Sequence, residues 1–225
     1  MMSPEEFDRQ GFTIIESVLS LHQIEATIGC IDRLALDTAG TRNLLRLGWC
    51  VELVDVLRSD ATIAELLPAQ NVAVQCTLFE KTIDRNWLVP LHQDLSIPVR
   101  ERCDNIHLSG WSHKEGILYV QPPVEVLAEL VAVRIHIDDC SSHNGALRVL
   151  PGSHDRGRIS SADIATLKTA NGEQLCEVKQ GGALVMRPLL LHASSKATSP
   201  NRRRVLHFLF GSASLRLGLQ WGKVV

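Results

Sequence analysis

A mainly β fold with flanking helices is what this 225-residue sequence predicts. Three observations carry that expectation. From about residue 72 the chain is a succession of short apolar and alternating runs: "VAVQCTLFEK", "GILYV", "ELVAVRIHID", "GALRVLP", "ALVMRP" and "RRRVLHFLF". Turn signals at Asn144-Gly145, Pro151-Gly152 and Gly181-Gly182 separate several of them. Before residue 72 most of the patterning is helical instead. Helices first and many antiparallel strands after predict a barrel or two-sheet sandwich covered by helices on one side. No internal repeat, low-complexity tract or linker divides the chain. Residues 1–225 are therefore expected as a single domain, with 1–70 mostly helical and 71–212 forming the β core.

Taken in order, Ser3-Pro4-Glu5-Glu6 reads as a capping box with proline at the first helical position. "GFTIIESV" reads as a strand, and Ser20 with Gln23 opens a second helix carrying Ile24, Ile28 and Ile31 on one face. Two further short helices are expected within 51–67, stopped at Pro68, and one more near 161–169. Three strands carry polar side chains opposite apolar ones. Val72, Val74, Cys76 and Leu78 oppose Gln75, Thr77 and Lys81; Val131, Val133, Ile135 and Ile137 oppose Arg134, His136 and Asp138. Leu206, Phe208 and Phe210 oppose Arg203 and His207. On any one strand such alternation reads as a solvated face. Three strands alike fit a polar cavity inside a barrel, with the apolar faces packed on helices outside.

With 23 Lys and Arg against 25 Asp and Glu, the net charge is −2, so overall charge supports neither a nucleic-acid nor an anionic-membrane partner. The six cysteines, at 30, 50, 76, 103, 140 and 176, form no CxxC or Cys/His pattern, which argues against structural zinc. They read as small core residues in a reducing cytoplasm. The acidic, polar start "MMSPEEFDRQ" does not read as a signal peptide, and no apolar run approaches a membrane span.

Chemistry is carried by "VPLHQDLS" at 89–96. On a strand, His92 and Asp94 project from the same face. Two histidines and one carboxylate are the facial ligand set of non-haem Fe(II) oxygenases, which leaves positions open for cosubstrate and O2. A second histidine must then come from a distant strand. Among the nine histidines, His22 falls in a helix, His107 and His113 flank a loop, and His143 and His154 border turns, where exposure is common. His136 and His207 lie on polar strand faces as supporting or substrate-contact residues, whereas His192 ends the long stretch "GGALVMRPLLLHASS" where a cavity mouth is expected. Alone, His-x-Asp is weak and reads better as a hydrogen-bonded pair; its combination with His192 and a following arginine is much more specific. Arg203 follows His192 by eleven residues, and a guanidinium there suits the remote carboxylate of 2-oxoglutarate. Arg202 and Arg204 face the other way on a regular strand, and an exposed basic edge is the plainer reading of all three.

"HQD" at 92–94, "NGALRVLPGSH" at 144–154, "HASS" at 192–195 with Arg203 beyond, and "FEKTIDRNW" at 79–87 together resemble the phytanoyl-CoA dioxygenase family of Fe(II)/2-oxoglutarate-dependent oxygenases. The likeness runs from about residue 72 to 210 and more loosely before that. It implies a double-stranded β-helix, the cupin-like jelly roll, backed by helices. It implies Fe(II) on His92, Asp94 and His192, with 2-oxoglutarate and O2 as cosubstrates. Arg203 would bind the distal carboxylate with Ser194 as hydroxyl partner, and Lys81, Trp111 and, more weakly, Gln75 would be cosubstrate or pocket residues. For Lys81 a solvated strand end, and for Trp111 a half-buried packing position, weigh evenly against those roles. Asp94 fills the position that related halogenating enzymes leave empty, which favours hydroxylation of a small-molecule substrate. The rival readings are a metal-dependent cupin-like enzyme that does not use 2-oxoglutarate, and a non-catalytic metabolite-binding protein on the same fold. Substrate choice is expected in loops at the barrel mouth, 95–116 and 154–175.

Overall fold

The structure, a computed structural model, describes residues 3–34, 36 and 38–225. The chain opens with α1 (Pro4–Gln10), β1 (Phe12–Ile15), α2 (Leu21–Asp32), β2 (Gly40–Thr41), α3 (Gly48–Ser59) and α4 (Ala61–Leu66). The strands β3 (Asn71–Lys81), β4 (Val89–His92), β5 (Ile97–Val99), β6 (Ser109–Lys114) and β7 (Ile117–Gln121) follow, then α5 (Val124–Ala128) and β8 (Val131–His136). Beyond β9 (Leu147–Val149) come α6 (Ser161–Asn171), β10 (Gln174–Cys176), β11 (Ala183–Met186), β12 (His192–Ser194) and β13 (Arg203–Ser212).

The helix starts follow their caps. Ser20 and Gln23 form the full reciprocal box: Gln23 N–H donates to Ser20 Oγ at 3.3 Å and Ser20 N–H to Gln23 Oε1 at 2.8 Å. At Ser3 only half the box forms, because the Glu6 carboxylate turns to Arg9 at 3.4 Å instead of back to the cap. Pro68 lies two residues past the end of α4, as its missing N–H requires.

All strand pairings within the sheets are antiparallel. A six-stranded sheet runs β1-β11-β8-β13-β3-β2, and a four-stranded sheet runs β10-β9-β12-β4. This is the double-stranded β-helix. One face of the larger sheet, with Cys76, Leu78, Val133, Ile135, Phe208 and Phe210, packs on the helices through residues such as Ile24, Val54 and Leu57. Its other face, with Ala132, Leu184, Met186 and Leu209, turns to the four-stranded sheet through Leu147, Val149 and Cys176. Truncating one of the buried phenylalanines would cost about 3–5 kcal/mol, since the close-packed layer collapses only partly. No helix among the described residues is long and apolar enough to cross a membrane.

The alternation expected along β3 breaks at one point. Register passes from Leu209↔Gln75 to Phe210↔Ala73, so Val74 is an extra residue in the pairing with β13. A one-residue insertion flips every side chain beyond it. Ala73 therefore joins Cys76 and Leu78 under the helices, while Val74 and Val72 turn to the inner cluster. Cavity-facing Gln75, Thr77, Phe79 and Lys81 follow the bulge in strict alternation.

Residues 95–116 are not one loop. β5 and β6 flank β7 in a separate three-stranded sheet that covers one side of the barrel mouth. Residues 154–175 contain α6 but no such sheet.

Candidate active site

His92 is the last residue of β4, and its strand neighbour across the ladder is His192, the first residue of β12. Their imidazoles lie 4.2 Å apart, centroid to centroid. Asp94 stands beyond the end of β4, not in the strand, yet its side chain reaches both. Its Oδ1 is 3.8 Å from His92 Nε2 and its Oδ2 3.7 Å from His192 Nε2. Two features outside the strand hold it there. Asp94 N–H donates to Pro188 O at 2.9 Å. The intervening Gln93 donates to Gly157 O and Leu189 O at 2.8 and 2.7 Å and accepts from Ile159 N–H at 2.9 Å. The middle residue of "HQD" thus stitches three segments around the two acid-base residues it separates.

The ligand atoms of His92, Asp94 and His192 all lie within 4.8 Å of one another, a grouping fit for a metal ion. Both rings are oriented for it. His192 Nδ1 is 2.9 Å from Leu190 O, and His92 Nδ1 is 2.9 Å from Pro90 O and 3.0 Å from His192 O. Carbonyls only accept, so each Nδ1 carries the proton and each Nε2 presents its lone pair to the cavity. Burial pulls the His192 pKa down to about 4 against the opposing pull of Asp94, so the ring is neutral at physiological pH. Burial works against the Asp94 charge, but His192, His207, His92 and Arg134 hold its carboxyl below the ordinary value.

These groups line a cavity of about 360 Å³ between the sheets. Lys81, Ser194 and Arg203 line it too, bound into one network. Lys81 Nζ donates to Ser194 Oγ at 2.8 Å and Ser195 O at 2.7 Å. Ser194 Oγ donates to Gly145 O at 2.8 Å, and Arg203 Nη1 to the same oxygen at 2.6 Å. Gly145 has φ +84°, and a Cβ there would stand 2.8 Å from Ser195 O and 3.0 Å from Lys81 Nζ, so only glycine places that carbonyl. Asn144 closes the loop before it by donating to Asp139 O and accepting from Ser141 N–H. The "NG" signal read as a turn is thus a support for two cations. Arg203 is 3% exposed, and its Nε has no hydrogen-bond partner. Lys81 is fully buried with its ammonium 5.1 Å above the Trp87 ring, not at a solvated strand end.

Of the "RRR" run Arg202 is exposed, whereas Arg203 and Arg204 are buried. Arg203 points inward, while Arg204 on the opposite face donates through Nε and Nη2 to Asp138 at 2.9 and 2.7 Å. Arg202 pairs with Glu80 and Asp32. Trp111 is not brought to the cavity. It sits on β6 against the inner cluster, under the Arg102 guanidinium at 5.1 Å, the packing alternative for that residue. Nor is His154 exposed: its Nε2 lies 2.8 Å from Asp8 O and its ring fills the space beside Gly11. His136 is buried with neither ring nitrogen hydrogen-bonded and does not line the cavity, whereas His207 does.

Tyr119 and Arg134 are among the cavity residues that escaped the sequence reading as site residues. Tyr119 donates to Gln75 Oε1 at 3.1 Å, and Gln75 in turn donates to Thr77 at 2.7 Å, which places Gln75 in the cavity wall. Arg134 had only its strand face as a signal; it lines the cavity and donates from Nη1 to His207 Nδ1 at 2.7 Å.

Solved structures that share this architecture include the following three. The epimerase SnoN, crystallised with Fe3+, alpha ketoglutarate and nogalamycin RO, aligns with TM-score 0.72 at 13% identity over 93% of this chain and 82% of its own. AviO1 from Streptomyces viridochromogenes Tue57 aligns with TM-score 0.66 at 21% identity over 95% and 97%. EctD from S. alaskensis with 2-oxoglutarate and 5-hydroxyectoine aligns with TM-score 0.69 at 18% identity over 98% and 78%. No curated protein sequence matches the chain. The family model for phytanoyl-CoA dioxygenase matches residues 7–205, and the chain belongs to that family.

Proposed function

We propose that the protein is an Fe(II)- and 2-oxoglutarate-dependent dioxygenase that hydroxylates a small molecule. One observation carries the reading: a two-histidine, one-carboxylate cluster and the buried Arg203 guanidinium line the same cavity. Imidazole and carboxylate suit Fe(II), and three protein donors leave positions for exogenous ligands. When bound, iron with 2-oxoglutarate and O2 supplies the oxidising power, yielding succinate, CO2 and an oxidised substrate C–H bond. The chain's own part is placement. His92, Asp94 and His192 would hold the metal, and the backbone carbonyls behind the two rings keep Nε2 unprotonated toward it. Arg203 would take the distal carboxylate of 2-oxoglutarate as a charge-assisted pair. Ser194, whose own proton goes to Gly145, would act by orienting the Lys81 ammonium toward that carboxylate. A cavity of about 360 Å³ suits the cosubstrate together with a small metabolite.

An anaerobic titration tests this without knowledge of the substrate. Fe(II) and then 2-oxoglutarate are expected to give the weak visible charge-transfer band of a chelate. Metal binding without that band would favour a cupin-like enzyme of other chemistry. Product mass then separates hydroxylation from an epimerisation such as the one SnoN is named for, since only the former adds oxygen.

The band also reports on Lys81. Burial, then Arg203, lowers its pKa to about 8, so raising the pH through that value removes a cation from the carboxylate subsite. The half-saturating 2-oxoglutarate concentration is expected to rise several-fold between pH 7 and 9, and to lose that rise in Lys81→Met. An unchanged pH profile in the variant would remove Lys81 from the subsite.

A further inference from the structure

We propose that Arg134 is the anchor for a carboxylate on the primary substrate. The inference rests on the metal and cosubstrate assignments above and deepens them.

The fold shows how it treats an arginine it buries for structure: Arg204 is sandwiched between carboxylates, with Asp138 gripping its fork. Arg134 is as deeply buried, 5% exposed, and no carboxylate lies within ion-pair distance of it among the described residues. Its one side-chain hydrogen-bond partner is His207 Nδ1. Burial, then Arg134 itself, pushes the His207 pKa down to about 3, so the ring is a neutral acceptor and offers no counter-charge. Arg134 Nε has no partner at all. The Phe79 ring, 5.5 Å from Arg134 Cζ, and the more distant Asp94 offset its charge only in part; a buried guanidinium without a paired carboxylate is costly to keep, and this one borders the cavity. Burial, then Arg203, draws its pKa down to about 10, which leaves it a cation at neutral pH.

Its point of attachment lies away from the cosubstrate end, although its charge and that of Arg203 feel one another. Arg134 pairs across the ladder with His207, four residues along β13 from Arg203, which pairs with Lys81. At a strand rise of about 3.3 Å per residue, the two guanidiniums are rooted about 13 Å apart along the sheet. Arg134 lines the same cavity as His92, Asp94 and His192, so an anion held there would share that chamber with the metal cluster. The charge inventory agrees. Lys81, Lys114, Arg134 and Arg203 line the cavity, with Arg42 already paired to Glu115, against Asp94 as the single lining carboxylate among the described residues. A divalent metal adds to that positive excess, and the 2-oxoglutarate dianion cancels only part of it. The remaining field favours an anionic substrate, and a planar guanidinium in the cavity wall is the group that binds a carboxylate through charge-assisted hydrogen bonds.

The test uses the protein loaded anaerobically with Fe(II) and saturating 2-oxoglutarate. Benzoate and hexanoate are titrated calorimetrically into wild type, Arg134→Met and Arg134→Lys, with benzamide and hexanamide as uncharged controls. The expected result is binding of at least one carboxylate and neither amide to wild type. Arg134→Met is expected to bind at least tenfold more weakly, with partial recovery in Arg134→Lys, while the 2-oxoglutarate half-saturation read from the charge-transfer band stays within twofold. The proposal is overturned if neither carboxylate binds the wild-type complex, or if both bind Arg134→Met equally well. A tenfold rise in half-saturating 2-oxoglutarate in Arg134→Met would also overturn it, placing Arg134 in the cosubstrate subsite. Absence of the band in wild type would sink the oxygenase reading alone; the same titrations on the metal-free protein would then decide the anion anchor.

Discussion

Replacing His192 with alanine is expected to abolish metal retention and turnover while the protein stays folded. His192 contributes one of three ligand atoms, and its imidazole is held by the Leu190 carbonyl at 2.9 Å. Losing even an outer hydrogen bond to a metal-binding histidine costs about 10–100-fold in affinity. Loss of the ring itself is therefore expected to weaken binding by at least about 100-fold, beyond the range in which His92 and Asp94 retain Fe(II). The folding cost is smaller. The side chain is buried, but it opens onto a cavity, so truncation enlarges existing space without leaving a sealed void. Metal affinity by competition with a chromophoric chelator, alongside a thermal melt of the metal-free protein, separates the two effects. Wild-type affinity in a folded His192→Ala variant would exclude this histidine from the site.

The metal cluster was legible in the sequence because its chemistry is local. His92 and Asp94 lie two residues apart, and His192 closes an apolar run. β3, β8 and β13 were legible because one face of each packs on helices and the other carries cavity-lining residues, which leaves an alternating record. What was not legible depends on partners far along the chain. The bulge at Val74 exists only in the register of β3 against β13, so nothing in "NVAVQ" announces it. His154 is buried through a contact with Asp8, 146 residues away, although its neighbours read as a turn. β6, "SGWSHK", is polar and largely exposed, and it reads as loop because its pairing with β7 supplies the strand that its own pattern does not. Arg134 could be placed on the polar face of its strand, but not recognised as uncompensated. That requires knowing that its partner, 73 residues away, is a neutral histidine and not a carboxylate.

Arg203→Met is expected to lose 2-oxoglutarate affinity and gain stability when empty. Removing one partner of a buried, hydrogen-bonded charge pair costs about 2–5 kcal/mol, so half-saturating 2-oxoglutarate should rise by about 30-fold or more, with little change in kcat at saturation. The same guanidinium is a burden when the subsite is empty. It is 3% exposed, its Nε lacks a partner, and burial lowers its pKa. Its one strong contact, to Gly145 O, is shared with Ser194 Oγ, so its removal does not orphan that carbonyl. Exchanging a poorly compensated buried charge for an apolar chain of similar reach stabilises by about 1–4 kcal/mol. For a chain of this length even 1 kcal/mol raises Tm by about 2–4 °C. Saturating cosubstrate reverses the order, because a ligand at 100 times its Kd adds about 2.7 kcal/mol to the protein that binds it. The metal-loaded melting curves of wild type and variant should therefore cross as 2-oxoglutarate is added. A variant less stable at every concentration would make Arg203 a structural strut, and an unshifted half-saturation would place the cosubstrate carboxylate elsewhere in the cavity.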